Sequence, residues 1–193
     1  DGQFVGKFEE MYQDCEDPWN ASKEIYDSSA CSVAAKRMMY MIQIFMEASI
    51  ISLGSGKGNH LHWLDLQDSG VELTLTAPTY SRNNYPKHKI FLDSILHFIQ
   101  IHPLNYDIYL FREVLWYILP DWAEIVSILK AKHQGALIIV ELSFYDNQQY
   151  GRDYFDGPDD FIAKWPFTIE KIVREHTTKN QREGRIMIAG RVP

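Results

Sequence analysis

Short runs of apolar and β-branched residues recur along the chain and predict a series of β-strands. The clearest run, Ala136–Val140, is continuous and apolar, as expected for a strand that is covered on both faces. Two runs near the C-terminus predict a closing hairpin around residues 179–181. The predicted strands are 48–53, 71–76, 89–92, 106–110, 136–140, 167–176 and 185–192.

Segments with helical periodicity separate most of these strands. The clearest of them, residues 28–46, has an apolar face that includes Met39, Ile42 and Phe45. The other predicted helices are 59–66, 114–119, 122–132 and 159–163. Strands that alternate with helices favour right-handed βαβ units and a mainly parallel sheet. We therefore expect an α/β three-layer fold with seven strands, of which only the last is antiparallel.

Length and composition fit a single domain. The chain has 193 residues, of which 46% are apolar, and this is enough to form a substantial core. Charged residues make up 23%, which argues against a disordered chain. We expect residues 1–46 to form an N-terminal helical cap and residues 47–193 to form the α/β core.

The charge balance limits the class of partner. Nineteen Lys and Arg residues against 26 Asp and Glu residues give a net charge of −7, and there is no basic run. A protein that binds duplex nucleic acid must neutralise phosphates, so this composition argues against that function. A small polar molecule remains the expected partner.

The cysteine count and the longest apolar runs bear on location. Cys15 and Cys31 are too few for a disulfide framework or a cysteine-based zinc site, which fits a reducing compartment. The histidines show no metal-ligand spacing, so no metal is expected. No run approaches 18 apolar residues, and no signal-peptide pattern opens the chain. The expectation is a cytoplasmic protein without a membrane segment. Its oligomeric state is not predicted.

A glycine-rich loop follows the first predicted strand. Residues 54–58 read Gly-Ser-Gly-Lys-Gly, and a predicted helix begins at Asn59. Glycines allow a sharp turn and let a ligand approach the backbone, while the helix N-terminus presents free N–H groups. The loop residues predicted to bind a cofactor are Gly54, Ser55, Gly56 and Gly58.

The glycine spacing narrows the choice of ligand. A dinucleotide-binding fingerprint places its third glycine where this chain has Asn59, and a P-loop requires Gly-Lys-Ser/Thr, where Gly58 follows Lys57 instead. A turn that only packs a helix on a strand is the alternative without a ligand. The observed G-x-G-x-G resembles motif I of the class I methyltransferases, whose loop holds S-adenosylmethionine.

The resemblance to class I methyltransferases extends over nearly the whole chain. It implies a Rossmann-like sandwich, S-adenosylmethionine as cofactor and methyl transfer to a small acceptor. The N-terminal part is similar to the nodulation-protein-S-like branch, whose leading helices cover the cofactor, and this branch points towards a carbohydrate acceptor by analogy. The matching segments are 8–12, 17–19, 50–58, 91–95, 106–118 and 135–141.

Two positions depart from the family pattern. The family usually has an acid where this chain has Ser52. It also usually has an acid at the end of the second strand, about 20 residues after the loop, where the predicted strand reaches Thr76. We expect the Thr76 hydroxyl to bond the ribose in place of that acid, more weakly than a carboxylate does.

Other residues at the predicted strand ends and in the cap are candidate cofactor ligands. Asp93, followed by Ser94, is placed to meet the adenine, or alternatively to cap the next helix. Arg112 and Glu113 follow the fourth strand, where ligands bind in open α/β sheets, or alternatively form a surface ion pair. Trp19 and Tyr26 are candidates to cover the cofactor, or to pack the N-terminal helices on the core.

Methyl transfer to a hydroxyl or an amine also requires a general base, and the candidates are Glu141, Asp146 and His60. Glu141 and Asp146 follow the fifth strand, close to Tyr145, and His60 lies in the helix after the glycine loop. Two other functions remain open. Ser52 and Thr76 motivate a non-catalytic binding or partner subunit, and a nicotinamide-dependent oxidoreductase ranks lower because of Asn59.

Overall fold

Seven strands form one sheet in the order β3-β2-β1-β4-β5-β7-β6. The computed structural model describes residues 6–18, 29–63, 69–102, 105–175 and 184–193. The strands are β1 Ile50–Leu53, β2 Ser69–Glu72, β3 Lys89–Leu92, β4 Ile108–Arg112, β5 Leu137–Phe144, β6 Thr168–Glu175 and β7 Gly184–Arg191. The helices are α1 Phe8–Asp14, α2 Ala30–Met46, α3 Asn59–Trp63, α4 Thr76–Asn84, α5 Ile95–Ile101, α6 Trp122–Lys132 and α7 Pro158–Ala163.

The strand directions confirm the predicted topology. Strands β1 to β5 pair in parallel, whereas β7 runs antiparallel to both of its neighbours, β5 and β6. Only the last strand is therefore reversed. The strand order turns back between β1 and β4, and such a switch point is where open α/β sheets bind ligands.

Strand β4 shows how one sheet separates two apolar cores. Its side chains alternate, so that Ile108 and Leu110 face the core beneath α2, while Tyr109 and Phe111 face the core beneath α5 and α6. All four are almost completely buried. The central strand is therefore apolar throughout, and this explains why its pattern was readable in the sequence.

Strand β2 ends four residues earlier than the sequence predicts. Thr74 donates its backbone N–H (3.1 Å) and its hydroxyl (3.0 Å) to Oε1 of Glu72, which turns the chain out of the sheet. Such local side-chain bonds compete with strand pairing. Thr76 becomes the first residue of α4, so its placement at the end of a strand is wrong. Residues 115–121 likewise form two 3₁₀ turns in place of a regular helix.

The N-terminal helix α1 is fastened to α4 by Glu9. The Glu9 carboxylate accepts the backbone N–H groups of Leu75 (2.7 Å) and Thr76 (3.2 Å) and the Thr76 hydroxyl. Leu75, the N-cap of α4, has no side chain able to satisfy these amides, so a residue distant in sequence caps the helix. These bonds, above all that from the Thr76 hydroxyl, lower the pKa of Glu9 from its usual 4.5.

This cap predicts a pH-dependent attachment of α1. Because the pKa of Glu9 is lower in the folded chain, its stabilising effect is present above pH 4.5 and is lost as the pH falls through the folded value. We expect Glu9→Gln to lower Tm near neutral pH, with the difference from wild type shrinking below pH 4.5. Thermal denaturation monitored across that range checks it. Glu10→Gln removes an equal charge from α1, but from a side chain that bonds the exposed Lys7, and it should lower Tm less near neutral pH.

Candidate functional site

A cleft of about 680 Å³ opens at the carboxyl edge of the parallel strands. Its floor is formed by the glycine loop and by the ends of β2, β3 and β4, and Phe8 and Tyr12 of α1 lie over it. Phe8 packs edge-on against Tyr117, with their ring centroids 5.0 Å apart, so α1 joins the two sides of the cleft. The volume and the concave shape are those of a small-molecule site.

The glycine loop makes a tight turn between β1 and α3. Gly54 and Gly56 have φ values of +73° and +54°, in the left-handed region that favours glycine. The backbone N–H groups of Gly54 (2.9 Å) and Ser55 (3.0 Å) both donate to the carbonyl of Val71. A Cβ on Gly56 would lie 2.9 Å from the Tyr12 hydroxyl. A side chain at Gly56 would therefore collide with the covering helix.

Glu72 is an acidic residue of the cleft that the sequence pattern did not predict. It is the last residue of β2, and its Oε2 accepts the backbone N–H of Gly56 at 2.9 Å. Its other oxygen accepts the two bonds from Thr74, and the side chain lines the cleft. The second strand therefore does end in a carboxylate, and the inferred departure at Thr76 is corrected. Glu72 is the nearest acidic residue on the N-terminal side of Thr76, so a search in that direction would have identified it.

Asp93 and Ser94 follow β3, and both form hydrogen bonds at the start of α5. Ser94 caps the helix by accepting the His97 N–H at 3.2 Å. The Asp93 carboxylate accepts the Ser94 N–H at 2.7 Å, and both of its oxygens lie 2.8 Å from Nδ1 of His97. The N-cap is thus Ser94 and not Asp93. Both residues line the cleft.

Arg112 at the end of β4 forms a hydrogen bond with His60 of α3, the helix that follows the glycine loop. Nη1 of Arg112 lies 2.9 Å from Nδ1 of His60, and both residues line the cleft. A guanidinium can only donate, so this hydrogen bond requires an unprotonated Nδ1. His60 is therefore held as the neutral tautomer with its proton on Nε2. While this bond lasts, His60 is a donor, which does not support its predicted role as a base.

Glu141 lies behind the cleft in a buried charge cluster. Its carboxylate is 0% exposed, and its Oε2 lies 3.5 Å from Nε of Arg112 and 3.4 Å from Nη2 of Arg185. A buried carboxylate is retained when cations compensate its desolvation. Glu141 thus anchors the two arginines and does not reach the cleft, which does not support its predicted role as general base.

Glu113 is the carboxylate that this cluster presents to the cleft. Its Oε1 accepts the Ser143 hydroxyl at 2.7 Å and lies 3.3 Å from Nε of Arg185, while its Oε2 accepts the Ser143 N–H at 2.9 Å. Glu113 has φ +52°, which is uncommon for a residue with a side chain and recurs at functional sites. Burial and the nearby Glu113 raise the pKa of Tyr117, which lines the same end.

The other predicted site residues are distributed as follows. Gly54, Ser55 and Gly56 line the cleft, whereas Gly58 faces Ser81 and does not. Thr76 is bound to Glu9, and Asp146 is exposed in the turn after β5. Neither lines the cleft. Trp19 and Tyr26 fall outside the described residues.

The described residues contain neither a cluster of metal ligands nor a helix that could span a membrane. No group of three or more His, Cys, Asp and Glu side chains there is placed to hold a metal ion. Among the helices in the same ranges, none combines the length and the apolar character needed to cross a membrane.

Comparison with known proteins identifies the fold. No protein-family model matches the chain, and no curated protein matches it in sequence. Among solved structures, WbdD is similar with a TM-score of 0.64 and 15% identity over 98% of this chain. The N-methyltransferase NodS from Bradyrhizobium japonicum has a TM-score of 0.60 and 11% identity, covering 86% of this chain and 99% of NodS.

A third similar structure contains a bound product of the cofactor. The geranyl diphosphate C-methyltransferase from Streptomyces coelicolor, crystallised with Mg²⁺, geranyl diphosphate and S-adenosyl-L-homocysteine, has a TM-score of 0.57 and 10% identity over 89% of this chain and 84% of that enzyme. The chain spans 44% of the length of WbdD. The chain therefore has the fold of the S-adenosylmethionine-dependent methyltransferases.

Proposed function

We propose that the protein is an S-adenosylmethionine-dependent methyltransferase that acts on a hydroxyl or an amine of a small polar acceptor. The observation that carries the proposal is the Glu72 carboxylate, held 2.9 Å from the Gly56 amide inside a cleft at the switch point of the sheet. It places a charged acceptor beside a close-approach glycine, which suits a nucleoside ribose.

The residues around the cleft fit the parts of this cofactor. Glu72 is the ligand for the ribose hydroxyls, and Asp93, at the end of β3, is the ligand for the adenine amino group. Ser52, Arg112 and His60 line the end where the amino-acid part would lie, and Arg112 is suited to its carboxylate. S-adenosylmethionine, when bound, supplies a methyl group that is activated by the sulfonium. The contribution of the chain is then chiefly alignment.

The acceptor end of the cleft combines polar groups with aromatic rings. Glu113, Ser143 and Arg185 lie on one side, and Trp116, Tyr117 and Tyr145 also line the cleft. Aromatic faces provide apolar contact, and a few fixed polar groups set the orientation, as in sites for small polar molecules. Glu113 replaces Glu141, Asp146 and His60 as the group proposed to receive the acceptor's proton, because it is the ionisable carboxylate beside Ser143 that lines this end.

Two alternative functions depend on other residues of the cleft. An acid at the end of the second strand also suits a nicotinamide dinucleotide, but Asn59 replaces the third glycine of that fingerprint. A non-catalytic binding subunit now rests on Ser52 alone, a buried hydroxyl where the family usually has an acid. The finding of Glu72 removes its other motivation.

Isothermal titration with S-adenosylhomocysteine, with NAD as the control ligand, tests the proposal. We expect binding of the first and none of the second. Glu113→Gln should retain this affinity while lowering turnover in an assay that follows release of S-adenosylhomocysteine across a panel of small amines and polyols. Binding of NAD alone would identify the oxidoreductase. Binding of S-adenosylhomocysteine without turnover on any acceptor would favour the binding subunit.

A further inference from the structure

The outward face of α2 is unusually apolar for a surface helix. Its inner face, including Ala35 and Met39, is buried on the sheet. The helix packs chiefly on β5, β6 and β7, which leaves the opposite face to solvent. Five apolar side chains on the C-terminal half of α2 are each 51–74% exposed: Tyr40, Met41, Ile44, Phe45 and Met46. An apolar group of this kind on a surface marks an interaction site.

The spacing along α2 is that of a helix–helix seam. Arg37, Tyr40, Ile44 and Glu47 recur at intervals of three, four and three residues. All four are exposed, and Glu47 follows the helix as its C-cap. The apolar members of the seam are flanked at one end by a cation and at the other by an anion.

We propose that this face of α2 binds the same face of a second copy of the chain, as an antiparallel, two-fold symmetric helix pair. A symmetric contact requires a self-complementary surface. With the two-fold axis at Ile42, each seam residue meets another seam residue: Tyr40 lies opposite Ile44 of the other copy, and Arg37 lies opposite its Glu47. The register that aligns the apolar residues thus also pairs the two charges.

The charges favour this occupant over others. A symmetric contact between two copies pairs Arg37 with Glu47, whereas a membrane surface or an unrelated apolar partner does not explain opposite charges on the two sides of the apolar centre. Among the described residues that line the cleft, none belongs to α2. The pairing therefore leaves the cleft open, and the inference is independent of the proposed function.

Sedimentation of the full chain, with charge-reversal variants, tests the pairing. We expect the wild type to sediment at twice the 22.5 kDa chain mass. Ile44→Lys should yield the monomer. Arg37→Glu and Glu47→Arg should each raise the dimer dissociation constant at least about tenfold, because each places like charges together. The double variant Arg37→Glu/Glu47→Arg should restore the wild-type value to within about threefold.

A matched control and the fold of each variant complete the design. Arg82→Glu reverses an exposed charge on α4, away from the seam, and should leave the dimer unchanged. Far-ultraviolet circular dichroism confirms that each variant is folded, and all substituted side chains are exposed. A wild type that remains monomeric at about 100 μM overturns the proposal. A folded double variant that fails to recover overturns the Arg37–Glu47 register.

Discussion

Replacing Glu72 with glutamine is expected to weaken binding of S-adenosylhomocysteine by about twofold to thirtyfold. Hydrogen bonds to a charged acceptor contribute about 1.5–3 kcal/mol, against about 1 kcal/mol for neutral pairs. Glutamine also presents an amide N–H₂ either to the Gly56 N–H or to the two Thr74 donors that the carboxylate now accepts. Both the ribose contact and the loop geometry are affected. Isothermal titration measures the loss.

A modified ligand separates these two effects. An analogue without the ribose hydroxyls should bind the wild type more weakly than S-adenosylhomocysteine does, and Glu72→Gln should bind both ligands almost equally. Thr74→Val is the matched control, because it removes one bond to Oε1 of Glu72 and leaves the carboxylate in place. Equal losses for both ligands in Glu72→Gln would mean that Glu72 supports the loop without touching the ribose.

The sheet was predictable because burial leaves a strong trace in the sequence. Strands β4 and β5 are covered on both faces and read as apolar runs, such as Ala136–Val140. The antiparallel strands β6 and β7 were also placed within one residue of their observed bounds, and the predicted turn at 179–181 lies outside the described residues. Parallel order followed from the alternation of strands and helices, together with the handedness of βαβ units.

The end of β2 was not predictable from periodicity. Residues 71–76 alternate as a strand should, but Thr74 bonds back to Glu72 and Glu9 captures the amides of Leu75 and Thr76. Local side-chain bonds and a contact 66 residues away override the pattern. Because β2 was predicted to end at Thr76, Glu72 was assigned to a position inside the strand and was not recognised as a residue of the cleft.

The buried charges were unpredictable for a related reason. Glu141 follows the fifth strand, where the rule for open sheets expects ligands. Its orientation into the cluster with Arg112 and Arg185 depends on the antiparallel pairing of β5 with β7, in which Ser143 lies opposite Arg185. A sequence rule identifies the edge of the sheet, but it does not identify which carboxylate at that edge faces the cleft and which faces away from it.

Gly56→Val is expected to reduce binding of S-adenosylhomocysteine by at least about a hundredfold while the chain stays folded, because a side chain there takes the space that the proposed ligand needs. The backbone at Gly56 has φ +54°, so a branched side chain is also strained. The new Cβ would lie 2.9 Å from the Tyr12 hydroxyl. Loss of stability alone must therefore be separated from loss of binding.

Two variants make that separation. Gly135 has φ +80° and nothing within 4 Å of a Cβ placed on it, so Gly135→Val carries comparable backbone strain far from any contact. It should lower Tm and leave the affinity unchanged. Adding Tyr12→Phe to Gly56→Val removes the short contact with α1 but not the side chain from the cleft, so binding should stay lost. Recovery of affinity in that double variant would mean that Tyr12, and not the bound ligand, is what Gly56 accommodates.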